Sequence, residues 1–291
     1  MTRLLLPVPH QSTKLIDLLA NQLRPESSSD DDTVGLVRAA ELLAIGAVWR
    51  GNQRLREPDW IVTSDCWVAW PRLPVVAYHL AVNQIFFEDD HLLVVWKPSG
   101  LNTCPSVYSD QDCLSHGVQM YLDAAGLTYQ VNTINRLDRA TQGLVLFAKH
   151  KAAEVALHRS FMNRQISKRY LALTPTGIET LDRYRICDQL EWRGRTQTAE
   201  TWIRRVQPPI RDTKVLPMNY FLVWPQTGRT HQIRKHFARY VVPIAGDSLY
   251  GAASDSKLQL YCVGYRLRHP ITGLNLRVSA LRVALIQATG F

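Results

Sequence analysis

From residue 75 onward the apolar residues fall into short runs broken by polar, glycine or proline positions, and this constrains the fold more than any other feature of the chain. Leu92 to Trp96, Gly143 to Ala148, Tyr170 to Leu173 and Tyr220 to Trp224 are each apolar or alternating, and each is bounded by a turn or a charge. Such runs, rich in β-branched and aromatic residues, read as strands. Ala152 to Asn163 is the clearest helix, with Val155, Ala156, Phe161 and Met162 as its expected buried stripe. Strands and helices do not alternate strictly, so an α+β sheet domain is expected rather than a doubly wound parallel one.

The first seventy-odd residues differ. Leu15, Ile16, Leu18, Leu19 and Leu23 share a helical face, with Ser12 or Thr13 available as a cap. An acidic, serine-rich stretch from Pro25 to Thr33 reads as a loop, and Val34 to Ile45 as a second helix ended by Gly46. Val48 to Asn52 suggests a strand and tight turn, and Trp60 to Trp70 a further strand. Pro71-Arg72-Leu73-Pro74 is the expected linker, which gives domains of 1–74 and 75–291.

The chain has 291 residues with 46% hydrophobic content, enough for one large domain with or without a small one. No apolar stretch approaches the ~20 residues that span a bilayer, and Met1 to Pro7 lacks the apolar core of a secretory signal. No membrane association is expected, and a cytoplasmic location is. Five cysteines, with no Cys-x-x-Cys pair and no His/Cys cluster at zinc spacing, suggest neither a disulfide framework nor a metal site. Residues 1–90 hold eight Lys/Arg against twelve Asp/Glu, and the rest of the chain 26 against 13, within a net charge of +9. The basic excess therefore lies in the later two-thirds and points to a polyanion partner there.

The densest concentration of opposite charge is Arg136-Leu137-Asp138-Arg139, in a polar segment between apolar runs. Alternation along an extended backbone would put Arg136 and Asp138 on one face, and the two arginines are expected to hold the carboxylate as an anion. An ionised acid suits a nucleophile or an electrostatic stabiliser better than a general acid.

This segment resembles the Arg-Leu-Asp-Arg motif of the RluA-type RNA pseudouridine synthases. Four further pieces follow in the family's order: Lys97 to Leu101 resembles its Lys-Pro-x-Gly motif, Lys168 to Ala172 the strand carrying its active-site tyrosine, and Gly228 to His236 and Pro243 to Gly251 its two C-terminal signatures. The resemblance implies a mixed, largely antiparallel sheet of pseudouridine synthase type, and residues 1–74 are similar to a small α/β S4-like module without its usual basic face. It implies isomerisation of uridine within ribosomal or transfer RNA, with no cofactor and no metal, by a protein expected to be monomeric. The C1′–N1 bond breaks, the base turns, and C5 joins C1′, on a nucleotide extruded from its stack.

On this resemblance Asp138 is the catalytic acid, which either attacks C1′ or removes the C2′ proton. Tyr170 is the base for the C5 proton, needing a neighbouring cation because a free phenol has a pKa of about 10. Arg234 is the ion-pair partner of Asp138. Arg136, Arg139, Thr141, Lys97, Lys168, Arg229, Thr230, His231 and Gln232 are the expected substrate-binding residues. Asn135 stands where the family commonly has histidine, and Ala140-Thr141-Gln142-Gly143 where it has Glu-Thr-Ser-Gly; both changes are expected to bear on RNA contacts. Two other readings compete: a catalytically silent RNA-binding or assembly protein that kept the fold, and a glycoside hydrolase or nucleosidase, which would want a second carboxylate near Asp138.

Overall fold

The structure, a computed structural model, describes residues 3–6, 8–9, 12–23, 32–63, 65–69, 75–176, 181–192, 194–207, 218–252 and 256–289. The chain divides into two compact units, residues 1–79 with 104–117 and residues 80–103 with 118–291.

The first unit contains β1 (Arg3–Leu6), α1 (Leu15–Leu23), α2 (Asp32–Ala44), β2 (Val48–Arg50), β3 (Gln53–Arg54) and β4 (Cys66–Ala69). Its antiparallel sheet has the order β1-β4-β2-β3. Leu15 and Leu19 of α1, Leu42 of α2, and Val48, Cys66 and Val68 of the sheet meet in one apolar core. Of the strand expected from Trp60 to Trp70, the part described as strand is Cys66–Ala69, and Trp70 lies outside the described residues. Its first residues pair elsewhere: the Leu15 amide donates to the Trp60 carbonyl (2.8 Å) and the Val62 amide to the Thr13 carbonyl (3.0 Å), an isolated bridge between Lys14 and Ile61 at the start of α1. The loop expected at 25–33 lies outside the described residues up to position 31, and Asp32 already belongs to α2; the linker at 71–74 lies outside them altogether.

The second unit is built on one sheet. Its strands are β5 (Ile85–Glu88), β6 (Leu92–Lys97), β7 (Gln142–Ala148), β8 (Ser167–Pro175), β9 (Arg183–Trp192), β10 (Arg195–Val206), β11 (Met218–Pro225), β12 (Leu260–Arg268) and β13 (Asn275–Ser279). Its helices are α3 (Leu114–Ala124, of which the first turn belongs to the other unit), α4 (Lys151–Met162), α5 (Gln232–Tyr240) and α6 (Leu281–Thr289). The strand order is β5-β6-β7-β12-β8-β11-β10-β9, with β13 also on β12. β7 and β12 run parallel while the other neighbours are antiparallel, so the mixed, largely antiparallel α+β fold expected from the sequence is the one observed. β6 and β7 are buried along their whole length, as continuous apolar runs should be.

Two elements differ from expectation. On α4 the buried residues are Ala153, Glu154 and Leu157, whereas Val155 and Met162 face solvent. The helix is rotated so that Glu154 can accept from the Tyr129 hydroxyl and from the Asn132 amide at 3.1 Å, which a purely apolar count of the helix face cannot anticipate. The long β9–β10 hairpin was not evident in the sequence, because β10 exposes nearly every second residue and so carries no apolar run.

Gly143 sits where β7 meets β12. It has φ 120°, and a Cβ there would lie 2.3 Å from the Cys262 carbonyl oxygen and 2.4 Å from the Cys262 nitrogen. Both atoms are backbone of a central strand and cannot yield. Gly143→Ala is expected to destabilise the protein by about 3 kcal/mol or more, seen as a lower urea midpoint; a midpoint equal to that of the parent would contradict this packing.

Candidate active site

The Asp138 segment is not a strand, and hydrogen bonds on both sides hold its course. The Thr103 hydroxyl donates to the Leu137 carbonyl (2.8 Å) and accepts from the Leu137 amide (3.1 Å), while the Thr141 amide donates to the Asp138 carbonyl at 3.0 Å. Asn135 turns inward: its amide donates to the Tyr265 hydroxyl (2.8 Å) and its oxygen accepts from the Leu146 amide (3.2 Å). Its departure from the family's usual residue therefore concerns loop anchoring, not an RNA contact.

Lys97 is fully buried at the end of β6, and its ammonium donates to the carbonyls of Pro98 (2.9 Å), Leu101 (2.8 Å) and Arg139 (3.2 Å). Burial lowers its pKa to about 7, with the charge of Asp138 acting in the opposite direction. Ser99 donates to the Ala140 carbonyl at 3.0 Å, and the Gly100 amide to the Arg139 carbonyl at 2.8 Å. The Lys-Pro-Ser-Gly segment thus braces the Asp138 loop from behind.

Arg139 donates through Nε to the Gly100 carbonyl at 2.8 Å, and Arg136 lines the cleft. Among the described residues the basic side chains within 4 Å of Asp138 are neither of these but Arg234 (3.9 Å), a cation, and the imidazole of His231 (3.8 Å). Expecting Arg136 and Arg139 to hold the carboxylate was wrong in mechanism. Alternation of faces requires an extended backbone, and the chain turns here.

The groups facing Asp138 come from α5. Gln232 sets the start of that helix: its oxygen accepts from the Thr227 hydroxyl (2.6 Å) and the Arg229 amide (3.0 Å), and its nitrogen donates to the Glu200 carbonyl (2.9 Å) and the Thr201 hydroxyl (2.8 Å). With its bonding capacity used in this way, Gln232 positions the helix and has none left for a substrate. Arg229 likewise spends Nε on the Thr198 carbonyl at 3.1 Å, although its side chain still lines the cleft. His231 precedes the helix in the left-handed conformation, φ 55°, which is uncommon outside glycine. Its Nδ1 lies 3.0 Å from the Tyr250 hydroxyl, which fixes the ring, and its Nε2 points to Asp138. Burial lowers the His231 pKa, with Asp138 opposing and Arg234 and Lys235 adding to the effect, so the imidazole is neutral at neutral pH.

Arg234 is committed first to another acid. Its Nε and Nη2 donate to the two oxygens of Asp247 at 2.8 and 2.6 Å, and its guanidinium lies 5.1 Å from the centre of the Tyr250 ring. Burial works against the arginine's charge, but the hydrogen bonds and charge of Asp247, with Asp138 assisting, more than offset this and raise its pKa. Asp247 and Tyr250 lie within the 243–251 signature, yet neither was among the expected site residues. Their visible signal was that motif, but what an acid there would bind depends on a contact that only folding creates.

Asp138, Tyr170, Arg234, Arg136, Thr141, Lys168, Arg229, His231 and Gln232 line one open cleft of about 510 Å³. Lys97 and Arg139 lie behind its wall, and half-buried Thr230 sits in the turn before α5. Tyr170 is buried, and burial, together with the neighbouring Cys262 and Asp138, pushes its phenol well above the usual value. The expected cation that would lower it is not among its influences, so Tyr170 is a neutral phenol in the resting site. Lys168, two residues earlier on β8, has a pKa lowered by burial. Among the described residues no group of side chains suits a metal ion, and no helix is long and apolar enough to cross a membrane.

A family model described as RNA pseudouridylate synthase matches residues 91–239. The chain belongs to the RluA-type RNA pseudouridine synthases. It is 31% identical to the dual-specificity RNA pseudouridine synthase RluA of Escherichia coli (strain K12) over 67% of this chain and 91% of that protein, and 31% identical to its Vibrio vulnificus counterpart over 65% and 78%. It is also 32% identical to the uncharacterized RNA pseudouridine synthase YhcT of Bacillus subtilis, of whose length it spans 65%. The solved structure of human RNA pseudouridylate synthase domain containing 1 shares the fold, with a TM-score of 0.55 over 71% of this chain and 86% of that one at 21% identity. The family's members are isomerases that form pseudouridine in RNA, and its match includes Asp138, Tyr170 and Arg234 but not Asp247.

Two outcomes follow from the site's geometry. Asp247→Asn leaves a buried guanidinium with one charged neighbour instead of two and is expected to cost about 3 kcal/mol in chemical denaturation, whereas an unchanged midpoint would show that the pair is not coupled to folding. Lys97 is the pH-sensitive member. Because its folded pKa is about 7 against an ordinary 10.5, the unfolded chain holds more protons between those values, so stability should rise with pH across that window. Lys97→Met should remove that rise, as judged by comparing denaturation midpoints of the two proteins at several pH values.

Proposed function

We propose that this pseudouridine synthase isomerises selected uridines of a structured ribosomal or transfer RNA, with Asp138 as its catalytic acid and the target nucleotide everted into the cleft. The supporting observation is that Asp138, the buried Arg234 and the buried Tyr170 reach one cleft from a loop, a helix and a strand that are far apart in sequence. Asp138 lies about one-third exposed within that cleft, open to a sugar approaching from solvent.

In this reading Arg234 is the fixed cation that favours the carboxylate form of Asp138, whether that group attacks C1′ or removes the C2′ proton. The net proton movement of the reaction is from C5 to N1 of the base, with neither an oxidant nor a cofactor required. Tyr170 is proposed as the base at the detached ring: its phenol oxygen takes the proton from C5 while its own hydroxyl proton passes to N1 of the base, so that it ends as it began, neutral. Arg136 and Arg229 line the cleft and are proposed to meet phosphates, Lys168, set deeper on β8, is proposed to contact the everted nucleotide, and Thr141 is proposed to approach the sugar. We take residues 1–74 as an S4-like module, on the strength of two helices followed by the β2–β3 hairpin, and 75–291 as the catalytic domain, in a cytoplasmic monomer.

Asp138→Asn is expected to abolish pseudouridine formation, by at least about three orders of magnitude, while leaving affinity for the same RNA within a few-fold. Pseudouridine mapping of RNA from cells lacking the protein supplies the substrate, and conversion assays on that RNA check the prediction. Conversion by the variant at the parental rate would remove Asp138 from the chemistry.

A further inference from the structure

The strand that carries Lys168 and Tyr170 into the cleft sends its alternate residues, Ser167 and Arg169, to the opposite face of the sheet. Arg169 belongs to the same short motif, yet the cleft makes no use of it. On that opposite face Arg169, Arg266 and Arg277 converge on a second cleft of about 420 Å³, together with Ser167 and Trp224, and no acid among the described residues lines it. The register explains the convergence: Gly264 pairs with Arg169, while Arg266 pairs with both Ser167 and Arg277.

Like charges directly opposite one another on neighbouring strands repel. Arg266 and Arg277 are such a pair, and farther along the same face Arg204 and Arg183 are another. Arg169 donates through Nη2 to Ser279 at 3.0 Å, but its buried Nε has no hydrogen-bond partner among the described residues. Burial and the charges of Arg277 and Arg266 all act against its ionised form. A cluster of this kind gains stability when an anion joins it.

Aromatic rings continue the surface. Trp202 pairs across the sheet with Trp224. The guanidinium of Arg204 lies 5.7 Å from the centre of the Trp224 ring and that of Arg185 5.1 Å from the centre of the Trp202 ring. Trp202 is 46% exposed, so a large ring on this face is open to solvent. A carboxylate of this face, Glu200, accepts from Arg185 at 3.1 Å and from the Trp202 indole at 3.2 Å and so orients both.

We propose that this face is a second RNA-binding surface, which holds a single-stranded stretch of the substrate outside the catalytic cleft, its phosphates on Arg169, Arg266 and Arg277 and its bases on Trp224 and Trp202. Charge complementarity selects a polyanion, and exposed indoles beside arginines select one with stackable rings, which distinguishes RNA from an acidic protein. From β13 to β9 the face crosses five strand spacings, roughly 24 Å, enough for several extended nucleotides. The proposal rests on the chain's acting on RNA, and it extends the substrate to nucleotides beyond those in the cleft.

The test uses two RNAs, a uridine-containing stem-loop of ribosomal or transfer RNA and the same stem-loop with a long single-stranded extension. Arg266→Ala/Arg277→Ala/Trp202→Ala alters exposed side chains, and its melting temperature verifies the fold. The triple variant should bind the extended RNA about tenfold more weakly, with a salt slope shallower by roughly 0.7 per lost phosphate contact, and with KM raised but kcat unchanged. The unextended stem-loop should be bound and converted by variant and parent alike. Equal affinity and equal salt slope of variant and parent for the extended RNA would overturn the proposal, as would parental binding of poly-glutamate as tight as that of the extended RNA. If the parent converts neither RNA while the variant still loses affinity for the extended one, the surface stands and the assigned reaction falls.

Discussion

The pairing of Arg234 with Asp247 is the interaction on which the rest of the site depends. Two opposite charges are taken out of water, the carboxylate completely, and the loss of hydration is offset only because two parallel hydrogen bonds of 2.8 and 2.6 Å meet the planar fork. Such geometry tolerates little movement. It ties the first turn of α5 to the segment around Asp247, whose own turn is shaped by Gly246, where φ is 73° and a side chain would strike the Lys257 carbonyl. A lysine could satisfy one oxygen but would have no further nitrogen in a fixed direction. Arg234 still has Nη1, and the fork leaves that nitrogen aimed at Asp138.

The sheet separates two environments with a single strand. On β8 the side chains alternate, so Lys168 and Tyr170 enter the cleft while Ser167 and Arg169 reach the other face. The separation is chemical as well as spatial. On the cleft side, burial leaves the titrating neighbours of Asp138 neutral: the His231 pKa is lowered and the Tyr170 pKa is raised. On the opposite side burial and the neighbouring Arg277 and Arg266 lower the Arg169 pKa, so like groups crowd one another. A motif of adjacent Lys, Arg and Tyr, which looks like a single basic patch in sequence, is thus two unlike surfaces.

Much of this was legible in the sequence, and the reasons differ by element. Strands β6 and β7 declared themselves because both faces are buried and their residues are uniformly apolar. The β9–β10 hairpin did not, because its outward face is charged and its stability comes from pairing along its length, which leaves no local mark. Nine of the twelve expected site residues line the cleft, since ordered motifs report which residues a fold gathers. The partner of each residue was less accessible. Arg136 and Arg139 stand next to Asp138 in the chain, yet the cation within 4 Å is Arg234, with the imidazole of His231 beside it, because a turn sends neighbouring side chains in different directions. Likewise Gln232 looks like a ligand-binding amide in sequence, but the fold consumes all of its bonding capacity.

The division of labour around Asp138 follows from these partners. A group that titrates near neutrality would make the field at the acid depend on pH, and the three nearest candidates are arranged to avoid this: His231 loses its proton early, Tyr170 keeps its own late, and Arg234 stays charged throughout. Lys97 is the exception, with a pKa near 7, but it is directed at carbonyls behind the loop and reaches the acid only through the charge it carries there. A site that must let a detached base turn over before it reattaches has no use for proton donors that could quench it early. In the proposed reading the C5 proton is left to the Tyr170 phenol, and the electrostatic work to a guanidinium that cannot give its proton up.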